Sequence, residues 1–198
     1  MNLFSRRNKD AELYGDRLPP GQKLTDGWPV LHYGGIPKIE LDTWQFELAG
    51  LVDEPVTLSW QEFMDMPQVT LGNDIHCVTA WSKFDNKWTG VSIPELLTRV
   101  NLKPEAAHVM IHSYGGYTTN LSLDDLNRPE NLLAHTHNGE KLTRDHGWPV
   151  RLVVPHLYFW KSAKWVKGFN FIPKEQPGFW EMYGYHIRGD PWKEERYS

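Results

Sequence analysis

The sequence predicts an α+β fold of mixed strands and short helices, and two observations carry the prediction. A serine is followed three residues later by an acid at Ser59 and Glu62, Ser92 and Glu95, and Ser122 and Asp125, the pairing that opens a helix by capping its first turn. Strand-like runs lie between and around these starts, and the two kinds of segment do not alternate as regular βαβ units. No internal repeat or low-complexity tract competes with this assignment.

Taken in order, residues 1–27 are polar and rich in Gly and Pro, which predicts an irregular arm or strap laid over a single domain spanning 28–198. From "DTWQFELAGLV" the pattern changes. Trp44, Phe46 and Leu48 alternate with polar or small residues, the period of a half-buried strand. Pro94 falls in the first turn of the second helix, where a missing N–H costs nothing. Each helix is expected to run about two to three turns before the next breaker. The runs "VTLGNDIHCV", "HVMIHS", "YTTNL", "VRLVV" and "WVKGFNFI" are expected to be strands.

A chain of 198 residues buries a core without covalent staples, and its one cysteine, Cys77, allows no internal disulfide. That suits a reducing compartment. The first twenty residues carry charges throughout and offer no apolar signal region, and no run reaches membrane-span length, so a cytoplasmic protein is expected. A net charge of −4 argues against nucleic acid as a partner. Within this acidic chain lies a basic island, with Arg144, Arg151, Lys161, Lys164 and Lys167 set against Asp145 alone. Ten tryptophans supply either core or walls for a planar ligand.

Cys77 admits three roles. As a nucleophile it needs a histidine to activate it, and as a zinc ligand it needs partners such as His135 and His137, without the paired cysteines of structural zinc. As core filler it needs nothing, since free cysteine is among the most buried residue types. The island, meanwhile, reads as an anion site. "DHGWPVRLVVP" and "KSAKW" set Arg151, Lys164 and Ser162 among apolar residues, where guanidinium, ammonium and backbone amides can surround a phosphate.

"HCVTAWS", "WTGVSIPELL", "DHGWPVRLVVP" and "KSAKWV", in that order, resemble the molybdopterin-binding domain of the sulfite oxidase family. The tail "PGFWEMYGYHIRGDPWKEERY" is similar to that of its short bacterial and archaeal members. The resemblance implies a molybdenum–molybdopterin cofactor, one metal and one pterin, with Cys77 as the metal's protein ligand. It implies further that Arg151, Ser162, Ala163 and Lys164 hold the pterin and its phosphate, together with His146, Ser113 and the loop residues Leu31, His32 and Tyr33. Tyr158, Trp81 and His156 are the candidates for the substrate side.

Two departures from sulfite oxidases stand out: Leu-His-Tyr replaces Arg-Asn-His in the first loop, and "VTAWS" replaces the arginines that follow the metal-binding cysteine. Sulfite is therefore not carried over as substrate. The "C-V-x-A-W-S" stretch is closer to the methionine sulfoxide reductase branch. The expected activity is oxygen-atom transfer on a small substrate, with electrons exchanged with a separate donor or acceptor. The alternatives are a hydrolase or transferase using Cys77, and a non-catalytic pterin-binding module.

Overall fold

The computed structural model describes residues 13–198, so the first twelve residues of the expected arm lie outside the described residues. Residues 13–27 of that expected strap are described. A single 3-10 turn, Gly15–Arg17, is followed by a two-residue strand, β1 (Lys23–Leu24), which runs parallel to β5 (Trp81–Ser92). Arg17 fastens the strap by forked bonds to both oxygens of Asp74, at 2.8 Å each, and a further bond to Asp85.

Two sheets make up the body. In the first, β5 lies between β1 and β8 (Leu132–His137), β8 pairs with β10 (Arg151–Val153), β4 (Val69–His76) pairs with β5, and β9 (Glu140–Lys141) pairs with β8. The second runs in the order β3 (Val56–Ser59), β2 (Gln45–Gly50), β11 (Val166–Ile172), β6 (His108–Ser113), β7 (Thr118–Ser122), with β2 and β11 parallel and the other neighbours antiparallel. The main core joins the two: Phe46, Leu48, Phe169 and Phe171 from the second sheet share one buried cluster with Val91, Leu133 and Leu152 from the first. The alternation read at Trp44, Phe46 and Leu48 is the cause, because it turns all three inward while Gln45 and Glu47 face solvent.

The three serine caps form as expected. Ser59 completes a reciprocal box with Glu62 at the start of α1 (Trp60–Asp65), and Ser92 and Ser122 accept from the amides of Glu95 and Asp125 at the starts of α2 (Ile93–Leu97) and α3 (Leu123–Leu126). The helices are shorter than expected, at six, five and four residues. Pro67 forces Met66 into an extended conformation and ends α1, and Gln68 then takes the carbonyls of Phe63 and Met66 with its side-chain amide. α3 stops at Asn127, two residues before Pro129.

β5 and β8 were not among the expected strands. β5 carries Lys83, Asp85, Asn86 and Lys87, a composition that hides a strand, yet it is paired along both edges and buries Ser82 and Asn86. His135 and His137 lie on β8; His137 Nε2 meets Asn86 Oδ1 at 3.0 Å and His135 Nε2 meets Gln68 Oε1 at 3.3 Å.

The C-terminal segment folds back through α4 (Phe179–Met182), which packs against β7 of the second sheet, and is pinned by Lys161. The Lys161 ammonium, fully buried, donates to Asn120 O and Oδ1 at 3.0 and 2.9 Å, to Ile187 O at 2.6 Å and to the Glu181 carboxylate. Lys161 is therefore a structural clasp and not part of an anion site. Gly189 lets the tail lie flat on the indole of Trp160: its φ is +81°, and a Cβ there would sit 2.6 Å from the ring. No helix among the described residues is long and apolar enough to cross a membrane.

Candidate functional site

Cys77 directly follows β4 and opens the turn into β5. Its N–H donates to Trp81 O at 2.8 Å, its carbonyl accepts from Ala80 N at 3.0 Å, and Ala80 takes the left-handed conformation (φ 69°) that closes the turn. The sulfur lies 3.1 Å from Thr79 Oγ1. Burial pushes the thiol pKa up, with Thr79 and Arg196 acting in the opposite direction. The adjacent His76 points away from the sulfur, to Ser82 Oγ at 2.8 Å, and desolvation depresses its pKa to about 4. No histidine hydrogen-bonds Cys77 among the described residues, so the geometry of a base-activated thiol nucleophile is missing there.

The sulfur faces a cavity of about 330 Å³, a volume that suits a small-molecule site. The strand β10 and the segment after it supply its charged side. Arg151 is 1% exposed yet takes part in no ion pair among the described residues. Its Nη1 and Nη2 donate to the carbonyls of His146 and Ser162 at 3.0 and 2.9 Å, its Nε has no partner among the described residues, and its plane lies 4.3 Å from the ring centroid of Phe159. Desolvation depresses its pKa to about 9. Lys164, beside it, donates to Asp145 O at 2.6 Å, and desolvation followed by the Arg151 charge lowers its pKa to about 7. Arg151, buried, and Lys164, half-buried with Asp145 the acid acting on it, set two cations side by side on the cavity wall, a chemistry suited to an anion.

Gly147 makes that proximity possible. Its φ is +110°, and a Cβ there would lie 3.0 Å from Arg151 Cβ and 3.2 Å from Lys164 Cβ, so only glycine lets the carbonyls of Asp145 and His146 approach Lys164 and Arg151. Gly147→Ala is expected to cost about 1–3 kcal/mol from the backbone strain alone. A lowered thermal midpoint together with reduced anion binding would be the measured sign.

The Lys164 pKa has a further consequence. With its folded value near 7 and an ordinary value of 10.5, the unfolded chain binds more protons than the folded one between those limits. The stability of the cofactor-free protein attributable to this group therefore rises with pH across about 7 to 10.5, and it is lowest below 7. Lys164→Met is expected to remove that slope in denaturation midpoints measured at pH 6 and pH 9. Inorganic phosphate, which favours the charged lysine, is expected to stabilise the native protein more at pH 6 than at pH 9.

Leu31, His32, Tyr33, Cys77, Trp81, Arg151, Ser162, Ala163 and Lys164 all line this one cavity. His146 stands behind it, stacked at 3.8 Å on Trp28, which does line it, and gives its carbonyl to Arg151. Ser113 is buried at the end of β6, where its N–H donates to Tyr117 O at 3.0 Å and shapes the turn that brings Tyr117 to the cavity. Tyr158 packs beneath Cys77 in one buried cluster with Val78 and Trp160 and does not reach the cavity. His156 lies elsewhere, 3.2 Å from Asp125 Oδ1, in a network that also holds Arg128 and Arg188. Of the basic island, Arg151 and Lys164 face the cavity, whereas Lys167 is exposed on β11.

Sequence reasoning missed Trp28, Tyr117, Phe159, Trp160, Trp180 and Tyr185, which complete the walls. Trp180 and Tyr185 stack at 5.1 Å and reach the cavity only because the tail folds back. The tail's aromatic richness was the available signal. Among the described residues, no group of three or more His, Cys, Asp or Glu side chains could hold a metal ion. Cys77 therefore offers a metal a single protein ligand. That suits a metal whose other donors arrive on an organic group, and the Arg151 Nε, without a partner among the described residues, suits with the neighbouring Lys164 an anionic handle on that group.

This arrangement of two sheets, lone thiol and paired cations defines a molybdopterin-binding oxidoreductase. The family model "Oxidoreductase molybdopterin binding domain" matches residues 33–180, and the chain belongs to that family. It is 49% identical over 197 residues to the uncharacterized oxidoreductase YuiH of Bacillus subtilis (strain 168), covering 99% of each chain. It is 30% identical to a sulfite oxidase of Arabidopsis thaliana, covering 79% of this chain and 49% of the relative, and 29% identical to a protein-methionine-sulfoxide reductase catalytic subunit, MsrP, of Gluconobacter oxydans (strain 621H), covering 75% and 54%. The chain thus spans about half the length of those two relatives. The structure of the sulfane dehydrogenase SoxCD from Paracoccus pantotrophus shares the fold, with a TM-score of 0.66 at 21% identity, over 72% of this chain and 41% of that one. The α+β fold is of the sulfite oxidase type.

Proposed function

We propose that the protein is a cytoplasmic oxidoreductase that binds one molybdenum through Cys77 Sγ and one pterin in the adjoining cavity. It transfers an oxygen atom to or from a small substrate and exchanges electrons with a separate partner. The observation that carries this reading is the buried, uncompensated Arg151 lining the same cavity as the lone thiol. When bound, the cofactor supplies two-electron redox chemistry at the metal.

The chain's own residues divide the remaining work. Arg151 and Lys164 hold the anionic end, and the wall formed by Ser162 and Ala163 closes against it. Leu31, His32 and Tyr33 border the same cavity from the loop before β2. Trp81, Trp180 and Tyr185 pack around Cys77 and exclude water from the sulfur. Tyr185 lines the cavity and packs against the cluster that holds Cys77, and its hydroxyl is the hydrogen-bond donor to substrate oxygen in this reading.

The test is turnover of protein made in a host that supplies the cofactor, assayed in both directions: reduced viologen with small sulfoxides, amine oxides and oxyanions, then the reverse with an artificial acceptor. Turnover with at least one substrate is expected. A fully loaded protein inert to the whole panel would instead be a non-catalytic pterin-binding module. Arg151→Met separates holding from chemistry. Losing charge-assisted bonds worth about 1.5–3 kcal/mol should lower cofactor affinity by roughly 10–150-fold. The cofactor-free variant should unfold no earlier than wild type. It leaves two carbonyls unpaired at about 1–3 kcal/mol each, offset by the several kcal/mol that burying a lone guanidinium costs.

A further inference from the structure

We propose that Gln22 and Arg196, which come from opposite ends of the described chain, are positioning residues that aim the Cys77 sulfur into the cavity by gripping the carbonyls of its turn. The proposal rests on Cys77 being the metal's protein ligand. The turn from Cys77 to Ala80 carries only two backbone hydrogen bonds of its own, Cys77 N to Trp81 O and Ala80 N to Cys77 O. Its remaining hold comes from outside the hairpin. Gln22, buried in the strap, donates from Nε2 to Cys77 O at 3.0 Å, and the next residue, Lys23, donates from its N–H to Ala80 O at 3.0 Å. From the tail, Arg196 Nη1 donates to Val78 O while its guanidinium lies 4.9 Å from the ring centroid of Tyr158, the side chain packed beneath the turn.

Neither Gln22 nor Arg196 lines the cavity, so neither touches substrate or cofactor. Gln22 acts through the backbone that carries the sulfur, and Arg196 does the same while its charge also acts on the thiol. A carbonyl in an open hairpin turn is ordinarily left to water, whereas here a buried amide and a guanidinium are committed to two successive ones. Fixing successive peptide planes restricts the Cα–Cβ direction of Cys77, and with it the approach of the sulfur to whatever it ligates. Outer partners of metal ligands act in this way, and losing one costs about 10–100-fold in metal affinity or activity.

The experiment uses cofactor-loaded Gln22→Leu and Arg196→Met, with Gln22→Asn as a milder variant that shortens the reach without changing the amide. Arg196→Lys serves as the conservative rescue, and Arg17→Met as a control that loosens the strap without touching the turn. Molybdenum and pterin content, the sulfur-to-metal charge-transfer spectrum, kcat and KM are measured for each. We expect the spectrum to shift and kcat to fall about 10–100-fold with KM little changed in the Leu, Asn and Met variants. Arg196→Lys should recover part of both, and Arg17→Met should lower the thermal midpoint alone. Unaltered spectra and kcat in loaded Gln22→Asn and Arg196→Met, or the same spectral shift in Arg17→Met, would overturn the proposal. Wild-type protein without molybdenum would instead sink the reading on which it rests.

Discussion

Cys77→Ser is expected to lose turnover by more than about 100-fold, since even outer partners of a metal ligand are worth up to that much. The reason is chemical rather than steric. Serine nearly matches the thiol in size, so the β4–β5 turn and its backbone bonds to Trp81, Ala80 and Gln22 should survive. What disappears is the soft, polarisable donor suited to a metal already bound by sulfur. The anion seat at Arg151 and Lys164 is untouched, so the pterin should stay at a substantial fraction of its wild-type level. Loss of activity with pterin retained, read by activity and by pterin fluorescence after oxidation, separates ligation from holding. Full activity in the serine variant would remove Cys77 from the chemistry.

Glu181→Ala should produce the largest loss of stability. One oxygen of Glu181 receives Trp160 Nε1 at 3.0 Å, Thr119 Oγ1 at 2.9 Å and the Lys161 ammonium, all buried. Removing the carboxylate leaves a fully buried cation unpaired, a change that costs about 3–5 kcal/mol. For a chain of this length that corresponds to roughly 6–20 °C in thermal midpoint. The double variant Glu181→Leu with Lys161→Met should cost less than the two single changes together, because it removes the stranded charge along with its partner. Strict additivity would mean that the two side chains do not act as a pair. Because α4 and the tail also deliver Trp180 and Tyr185 to the cavity, the single variant should weaken cofactor retention as well.

Much of this architecture was legible in the chain, for physical reasons that can be named. Ser59, Ser92 and Ser122 marked helix starts because a hydroxyl and an acid three residues apart satisfy free amides wherever they occur. Phe46 and Leu48 marked a strand because one sheet face is buried. β5 escaped because its polar residues are satisfied by strands on both sides, information that no local window holds. The site divides along the same line. Cys77, Arg151 and Lys164 announce themselves by type and by the motifs around them. Trp28, Tyr117 and Tyr185 do not, since they join the cavity through contacts with residues far away in sequence. His156 and Lys161 carry the right chemistry but sit opposite acids, Asp125 and Glu181, that only the fold brings to them.

X-ray absorption at the molybdenum edge of the loaded protein tests the central claim most directly. The account predicts near-stoichiometric molybdenum, with a sulfur shell in the wild type containing one more donor than in the Cys77→Ser variant. Identical sulfur shells in the two proteins, or a preparation without molybdenum from a host that supplies the cofactor, would contradict it.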